Sequence, residues 1–354
     1  MRTLVKKRQL LSLVAIAVLM VLLIWADGRL SPYYVKILHY WAIYIILGVT
    51  LQLVYGYTGQ FSLAHGGLVA IGAYTTGLLT LSPEIKQASW ILKPPVWPIS
   101  VVEWPLYPAL LMSGVTGGLV GLLVGAPALR VRGNYLTIVT LGLSEILRIT
   151  LCNMPAVCNG AIGLRGIPMK INLWLTWSIA IVTLFVVKRL VESNYGRAFK
   201  AICEDEIAAQ AVGVSLFRYK LLAFVISSAF AGVAGGLMAQ LLGTIDPNAF
   251  TLTLSYATIT VVVLGGVRSL TGTTIAAGVY IVASELLRAA ETSPTVFNVK
   301  LPGIPGMRML VFGLLLLVVM LYNHKGILAE KEFSWSAIGS WLRGIGVRRK
   351  RTEA

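Results

Sequence analysis

The sequence predicts an all-α, polytopic membrane protein with about ten transmembrane helices. Three observations lead there. Of 354 residues, 57% are hydrophobic and only 12% are charged, about half the charged share of an ordinary soluble domain. Charge-free runs recur along the whole length, at 9–26, 37–83, 104–129, 171–187, 221–245, 247–267, 269–284 and 309–324. Runs near twenty residues match the thickness of bilayer hydrocarbon. The longest run, 37–83, holds 47 positions without Asp, Glu, Lys or Arg, enough for two crossings.

Ten spans are predicted, near 10–26, 34–54, 63–82, 106–126, 134–151, 172–190, 220–242, 251–267, 271–289 and 309–323. The first has the basic start and apolar run of a signal peptide. The sequence after it, Trp25-Ala26-Asp27-Gly28-Arg29, is a poor cleavage site, so the span is expected to stay as an anchor. The organisation follows: 1–33 as the N-terminal start and first span, 34–325 as the main transmembrane domain with a cytoplasmic loop at 191–219, and 326–354 as a basic tail. With the N-terminus in the cytoplasm, 20 of the 30 Lys and Arg residues fall inside, the sign that the positive-inside rule requires. Both termini are then cytoplasmic. The net charge of +16 is accounted for by topology, and no nucleic-acid partner is expected.

The second and third spans are joined by a polar, glycine-bearing stretch, Tyr55-Gly56-Tyr57-Thr58-Gly59-Gln60-Phe61-Ser62-Leu63-Ala64-His65-Gly66-Gly67. Free backbone groups survive at membrane depth only where protein or water satisfies them. Gln60, Ser62 and His65 offer an amide, a hydroxyl and an imidazole that can replace hydration without fixed charge. They are candidates for a solute pathway, or else they satisfy the broken backbone of the bend.

The loop 83–108 is rich in Pro and Trp, a stiff surface suited to an external partner or to the membrane interface. Gly117, Gly121 and Gly125 lie four apart, as do Gly232 and Gly236. Small residues at that period let helices approach closely in lipid, within this bundle or with a second membrane subunit. Ser144-Glu145-Ile146-Leu147-Arg148 is echoed by Ser284-Glu285-Leu286-Leu287-Arg288, a short repeat of the kind duplicated transporters carry. In each block Glu and Arg share a helix face. They either neutralise one another near the outer boundary or receive the two ends of a zwitterion, which makes Glu145 and Arg148 further pathway candidates.

Cysteines are few. Cys203 lies in the cytoplasmic loop and should stay reduced, whereas Cys152 and Cys158 are placed outside, where a bridge is permitted but two unpaired small residues at a helix end are the favoured reading. The histidines His39, His65 and His324 are isolated, so no zinc set is expected. In the loop, the acidic triplet Glu204-Asp205-Glu206 precedes Ala208, Ala209 and Ala211, and Gly213 is a natural stop. Acids at a helix start favour its dipole. Such a helix either transmits motion from a soluble partner or is an ordinary surface helix. The chain has no phosphate-binding G-x-x-x-x-G-K-[ST] loop and no carboxylate in the middle of a clearly apolar span. Energy for uphill transport would have to enter from another subunit.

Four blocks, taken together, resemble permease subunits of ABC importers for branched-chain amino acids, of the LivM type, over about residues 40–325. They are Gly56–Gly66 with Gly72-Ala73-Tyr74; Gly133–Leu141 through Arg148 to Asn159-Gly160 and Gly163–Pro168; Gly196-Arg197-Ala198 through Ala209 and Gly213; and Val263–Gly272. The resemblance implies an ABC permease without catalytic residues of its own, in the inner membrane, that carries leucine, isoleucine and valine. The same machinery could instead carry urea, short amides or other amino acids. Implied partners are a LivH-type permease, two cytoplasmic ATPases that hold the ATP and magnesium, a periplasmic or extracellular solute-binding protein, and membrane lipid. Glu206, Ala208, Ala209 and Gly213 would form the ATPase coupling helix, although Ile207 interrupts the usual E-A-A spacing. A self-sufficient channel or secondary transporter is the rival from another class, and a membrane enzyme would need a catalytic constellation that these residues do not form.

Overall fold

The computed structural model describes residues 2–90, 93–131, 133, 135–291, 295–296, 299–300 and 306–322. Arg132, Asn134, His324 and the tail 326–354, with Arg348-Arg349-Lys350-Arg351, lie outside the described residues. In order, the chain forms α1 (Arg2–Arg29), α2 (Pro32–Thr58), α3 (His65–Thr80), α4 (Pro83–Ser89), α5 (Leu106–Ala128), α6 (Tyr135–Cys152), α7 (Pro155–Cys158), β1 (Leu164–Arg165), α8 (Leu173–Glu192), α9 (Asn194–Glu204), α10 (Glu206–Ala211), α11 (Leu216–Leu242), β2 (Thr244–Ile245), α12 (Leu252–Gly265), α13 (Leu270–Glu291), β3 (Thr295–Val296), β4 (Val299–Lys300) and α14 (Met307–Tyr322).

A helix stands at each of the ten predicted spans. Seven segments among the described residues are long and apolar enough to cross a membrane alone, and α3 with α4, bent by 114°, makes an eighth candidate. The count of about ten is therefore approximate. The third predicted span is shorter than expected for a physical reason. Gly59 takes φ 68 as the C-cap of α2, a left-handed conformation natural to glycine, and the chain stays non-helical until His65. The remaining 16 residues of α3 extend about 24 Å, less than a full hydrocarbon thickness.

The centre of the bundle is α11, packed against α5, α3 and α2. It can be central because its neighbours meet it with bare backbone. A Cβ on Gly72 would stand 1.9 Å from the Gly232 carbonyl oxygen, and one on Gly117 would stand 2.6 Å from that of Ser228. The two glycine stripes thus face one another inside this chain, which is the close approach expected of small residues in lipid. In its most apolar window α2 is 72% buried and α6 only 22%, so α2 belongs to the interior and α6 to the rim. The α12–α13 turn is seated on α2, where Gln52 Nε2 donates to the carbonyls of Gly266 at 3.2 Å and Val267 at 3.1 Å. Thr273 Oγ1 donates back to Gln52 Oε1 at 2.9 Å. A Cβ on Gly56 would fall 1.9 Å from the Val267 carbonyl oxygen.

One end of the bundle carries α9 and α10. The other carries the Pro/Trp segment, α7 and an antiparallel pairing of β1 with β2 that matches Leu164 to Ile245. At that end Lys86 is fully buried and donates to the carbonyls of Ile99 and Val102. Asn159, at φ 59, donates through Nδ2 to the carbonyls of Ser89 and Gly163. Cys152, Cys158 and Cys203 are free thiols.

Candidate functional site

The non-helical stretch Gly59–Ala64 runs back into the bundle from the end of α2. Its far end is fixed by Ser227 of α11, whose hydroxyl donates to the Thr50 carbonyl at 2.7 Å and meets His65 Nε2 at 3.3 Å. Thr50 stands eight residues before the end of α2, so α3 starts about 12 Å up from that end at 1.5 Å per residue. Of these six residues without a helical ladder, Gln60 and Ser62–Ala64 are buried, Phe61 is half-buried and Gly59 is exposed.

An unsatisfied backbone group at this depth costs several kcal/mol, and side-chain hydroxyls from other helices remove that cost. Thr140 Oγ1 on α6 accepts the Leu63 N–H at 3.1 Å, and Ser144 Oγ accepts the Gly67 N–H at 3.0 Å. Ser255 Oγ on α12 accepts the Gly66 N–H at 3.0 Å and donates to the Leu63 carbonyl at 3.1 Å. Thr137 Oγ1 donates to the Phe61 carbonyl at 3.2 Å. The first turn of α3 is thereby held by α6 and α12, which are not its neighbours in sequence.

Gln60, Ser62 and His65 are all buried. Ser62 Oγ accepts the Ala64 N–H at 3.3 Å, which is a local structural use. Gln60 Nε2 donates to Thr58 Oγ1 at 2.7 Å, while its Oε1 has no hydrogen-bond partner among the described residues. For His65 the tautomer follows from its partner. The single Ser227 proton goes to Thr50, so in an uncharged ring Nε2 is assigned the proton and donates to Ser227. That leaves Nδ1 as a bare acceptor, also without a partner. Gln60 and His65 thus each hold one unused acceptor. Glu145 and Arg148 lie elsewhere. They pair with each other at 2.8 Å, and Arg148 Nη1 donates to Asn248 Oδ1 at 2.9 Å. The echoing pair Glu285–Arg288 forms at 3.2 Å, with Tyr33 donating to Glu285 at 2.7 Å.

At the α9–α10 end, the acidic triplet has three separate employments. Glu204 pairs with Arg268 of the α12–α13 turn at 2.7 Å. Asp205 breaks the chain between α9 and α10 and caps α10, accepting the N–H groups of Ile207 at 2.7 Å and Ala208 at 3.0 Å. Glu206 pairs with Lys220 of α11 at 2.6 Å. Ala209 turns inward and is buried, while Ala208 is exposed. Gly213, at φ +87, follows the end of α10 and is exposed as well. The surface next to them is apolar: Ile207 and Val212 are 80% and 79% exposed.

The residues missed in the sequence are the hydroxyls Thr140, Ser144, Ser227 and Ser255, and the amide Gln52. Their signal was small polar residues inside apolar spans. Among the described residues no group of three or more His, Cys, Asp or Glu side chains could hold a metal.

A bundle of apolar helices, interrupted at depth by a polar segment and bearing an ion-paired loop at one end, defines a multi-pass membrane permease. The chain belongs to the family described as the branched-chain amino acid transport system / permease component, whose model matches residues 33–320. It is 34% identical over 320 residues, 81% of this chain and 68% of the relative, to the high-affinity branched-chain amino acid transport system permease protein LivM of Salmonella typhimurium. To the probable LivM of Methanocaldococcus jannaschii it is 23% identical over 83% of this chain and 93% of that protein. To LivH of Escherichia coli it is 26% identical over 82% of this chain and 92% of the relative. No solved structure matches the chain significantly.

Proposed function

We propose that this chain is one permease of an ABC importer that carries leucine, isoleucine and valine across the inner membrane by alternating access. It performs no covalent chemistry and holds no cofactor of its own. ATP and magnesium are held by two cytoplasmic ATPases. A LivH-type permease completes the pathway, and a solute-binding protein delivers cargo at the opposite face. Both termini lie in the cytoplasm. The ATPases engage α10 through the region of Glu206, Ala208, Ala209 and Gly213, with Ile207 and Val212 as its exposed apolar contacts.

The observation that carries this reading is the non-helical segment Gly59–Ala64, largely buried and tethered by hydroxyls of α6 and α12. Irregular backbone at depth is where transporters place their solute contacts. Gln60 and His65 are assigned to the pathway because each keeps an unused acceptor there, suited to an ammonium or amide N–H donor. The names of the relatives supply the solute class.

The test is uptake of labelled leucine into proteoliposomes that contain the chain with its partner permease, binding protein and ATPases. ATP-dependent accumulation is expected. Accumulation by this chain without ATPases would overturn the reading, and ATP-dependent uptake of urea in place of leucine would replace the solute.

A further inference from the structure

We infer that the Glu204–Arg268 ion pair is the joint through which movement of the α9–α10 loop reaches the non-helical segment Gly59–Ala64, with Cys203 bearing on the last turn of α2. The inference rests on the coupling role proposed for that loop and names the residues that pass its movement on.

Among the loop's polar contacts with the rest of the protein, a cluster gathers around Arg268. Arg268 bonds Glu204 at 2.7 Å through Nη1 and reaches Cys203 Sγ at 3.4 Å through Nη2. Cys203 in turn lies against the last turn of α2: its Sγ is 3.7 Å from the Gly56 carbonyl oxygen. A Cβ on Gly59 would meet Cys203 Sγ at 3.4 Å and Cys203 Cα at 3.5 Å. Gly59 is also the residue at φ 68 where α2 ends and the non-helical segment begins. The C-terminal end of α9 therefore lies against the last turn of α2, beside the position where the pathway segment begins.

Arg268 is anchored on its other side. Its carbonyl accepts from Tyr57 Oη at 3.1 Å, and the preceding turn is clamped to α2 by Gln52. A push on α9 thus has two exits, Arg268 and the α12–α13 turn on one hand and Gly59 on the other, and both lead to the end of α2. Glu206–Lys220 ties α10 to α11 separately, so the end of α9 and the start of α10 are held to different parts of the bundle. Coupling between sites travels through such chains of discrete packed and ion-paired contacts. Glu204 is 67% exposed, so its replacement disturbs no core.

The experiment uses the complete transporter in proteoliposomes and reads ATP hydrolysis and leucine uptake side by side, with co-purification of the ATPases as the measure of assembly. E204R and R268E, each alone, should leave assembly and hydrolysis within about twofold of the parent while uptake falls about five- to tenfold. The charge-swapped double variant should regain most of the uptake. R268K, which keeps the charge, should lose less than R268E. Parent-like uptake in both single variants would overturn the joint. Loss of ATPase binding in them would also overturn it, because the pair would then serve docking and not transmission. A swap no better than the singles, with R268K as poor as R268E, would overturn it too. Uptake by the parent that needs no ATP would instead sink the coupling reading beneath it.

Discussion

Ser144 Oγ accepts the backbone N–H of Gly67 at 3.0 Å, and by this bond a rim helix holds the first turn of an interior one. Ser144 is also the first residue of the block that ends in Arg148. One short motif therefore serves two ends: its serine secures the start of α3, and its Glu145–Arg148 pair binds Asn248 in the turn before α12. Replacing Ser144 by Ala strands the Gly67 N–H where no water reaches it. A loss of about 1–3 kcal/mol is expected, visible as a lower unfolding temperature in detergent, with Ser144→Thr closer to the parent.

Gly72 and Gly232 cross with their backbones in contact, and α11 cannot retreat because α5 lies behind it. Gly72→Val forces a side chain into the Gly232 carbonyl, which is backbone and cannot rotate away. The cost exceeds the usual overpacking range of about 1–3 kcal/mol, and the expected result is loss of folded protein from the membrane fraction. Gly142, with nothing within 4 Å of an added Cβ, should accept Ala with normal yield.

Gln60→Ala tests the pathway against the scaffold. The side chain makes one hydrogen bond, to Thr58, and leaves Oε1 unused, so stability should fall by only about 1 kcal/mol. Leucine uptake should drop severalfold in spite of that. A parent-like uptake rate would move Gln60 from the pathway to the scaffold. Ser62→Ala is expected to show the reverse balance, since its hydroxyl accepts the Ala64 N–H.

Ile207→Asp and Val212→Asp place charge on the two most exposed apolar side chains of the α9–α10 loop without touching the interior. ATPase co-purification should fall, by about tenfold for the pair, while the permease itself keeps its unfolding temperature. The uncoupling variants of Glu204 and Arg268 are expected to retain assembly, so the two sets divide docking from transmission.

Burial pushes the Cys158 thiol up to about 12. Thiolate is the reactive form, so at pH 8 only about one part in ten thousand is available. Cys158 in the folded protein should resist alkylation at that pH, and its rate should climb with each pH unit until the thiol titrates. Rapid labelling at pH 8 would place Cys158 in a more open setting.

The helices were legible because lipid imposes a blunt rule: charge is excluded over about twenty residues at a time, and the runs at 37–83 and 221–245 obey it. The break at Gly59 was legible too, since glycine and polar residues have few other uses in such a run. The clamps around it were not. Thr58, Thr183 and Thr258 bond carbonyls of their own helices, whereas Thr140, Ser144 and Ser255 reach across to another segment, and residue type does not distinguish these uses. The acidic triplet shows a related limit. Charge at a helix start explains Asp205, but the partners of Glu204 and Glu206 are 64 and 14 residues away in sequence and are set by the fold. The glycine stripes announced close contact and left the contacting helix open, and it proved to be within the same chain.

The unequal lengths of α2 and α3 also bear on how such a barrier could open. Beside eight residues of α2, the bundle is closed by six residues of coil tethered by the hydroxyls of Thr137, Thr140 and Ser255. A helix resists displacement as a unit because its ladder is cooperative. Coil has no ladder, and each of its side-chain tethers is worth only about 1 kcal/mol. It is a stopper that can be drawn aside tether by tether and dropped back into the same seat.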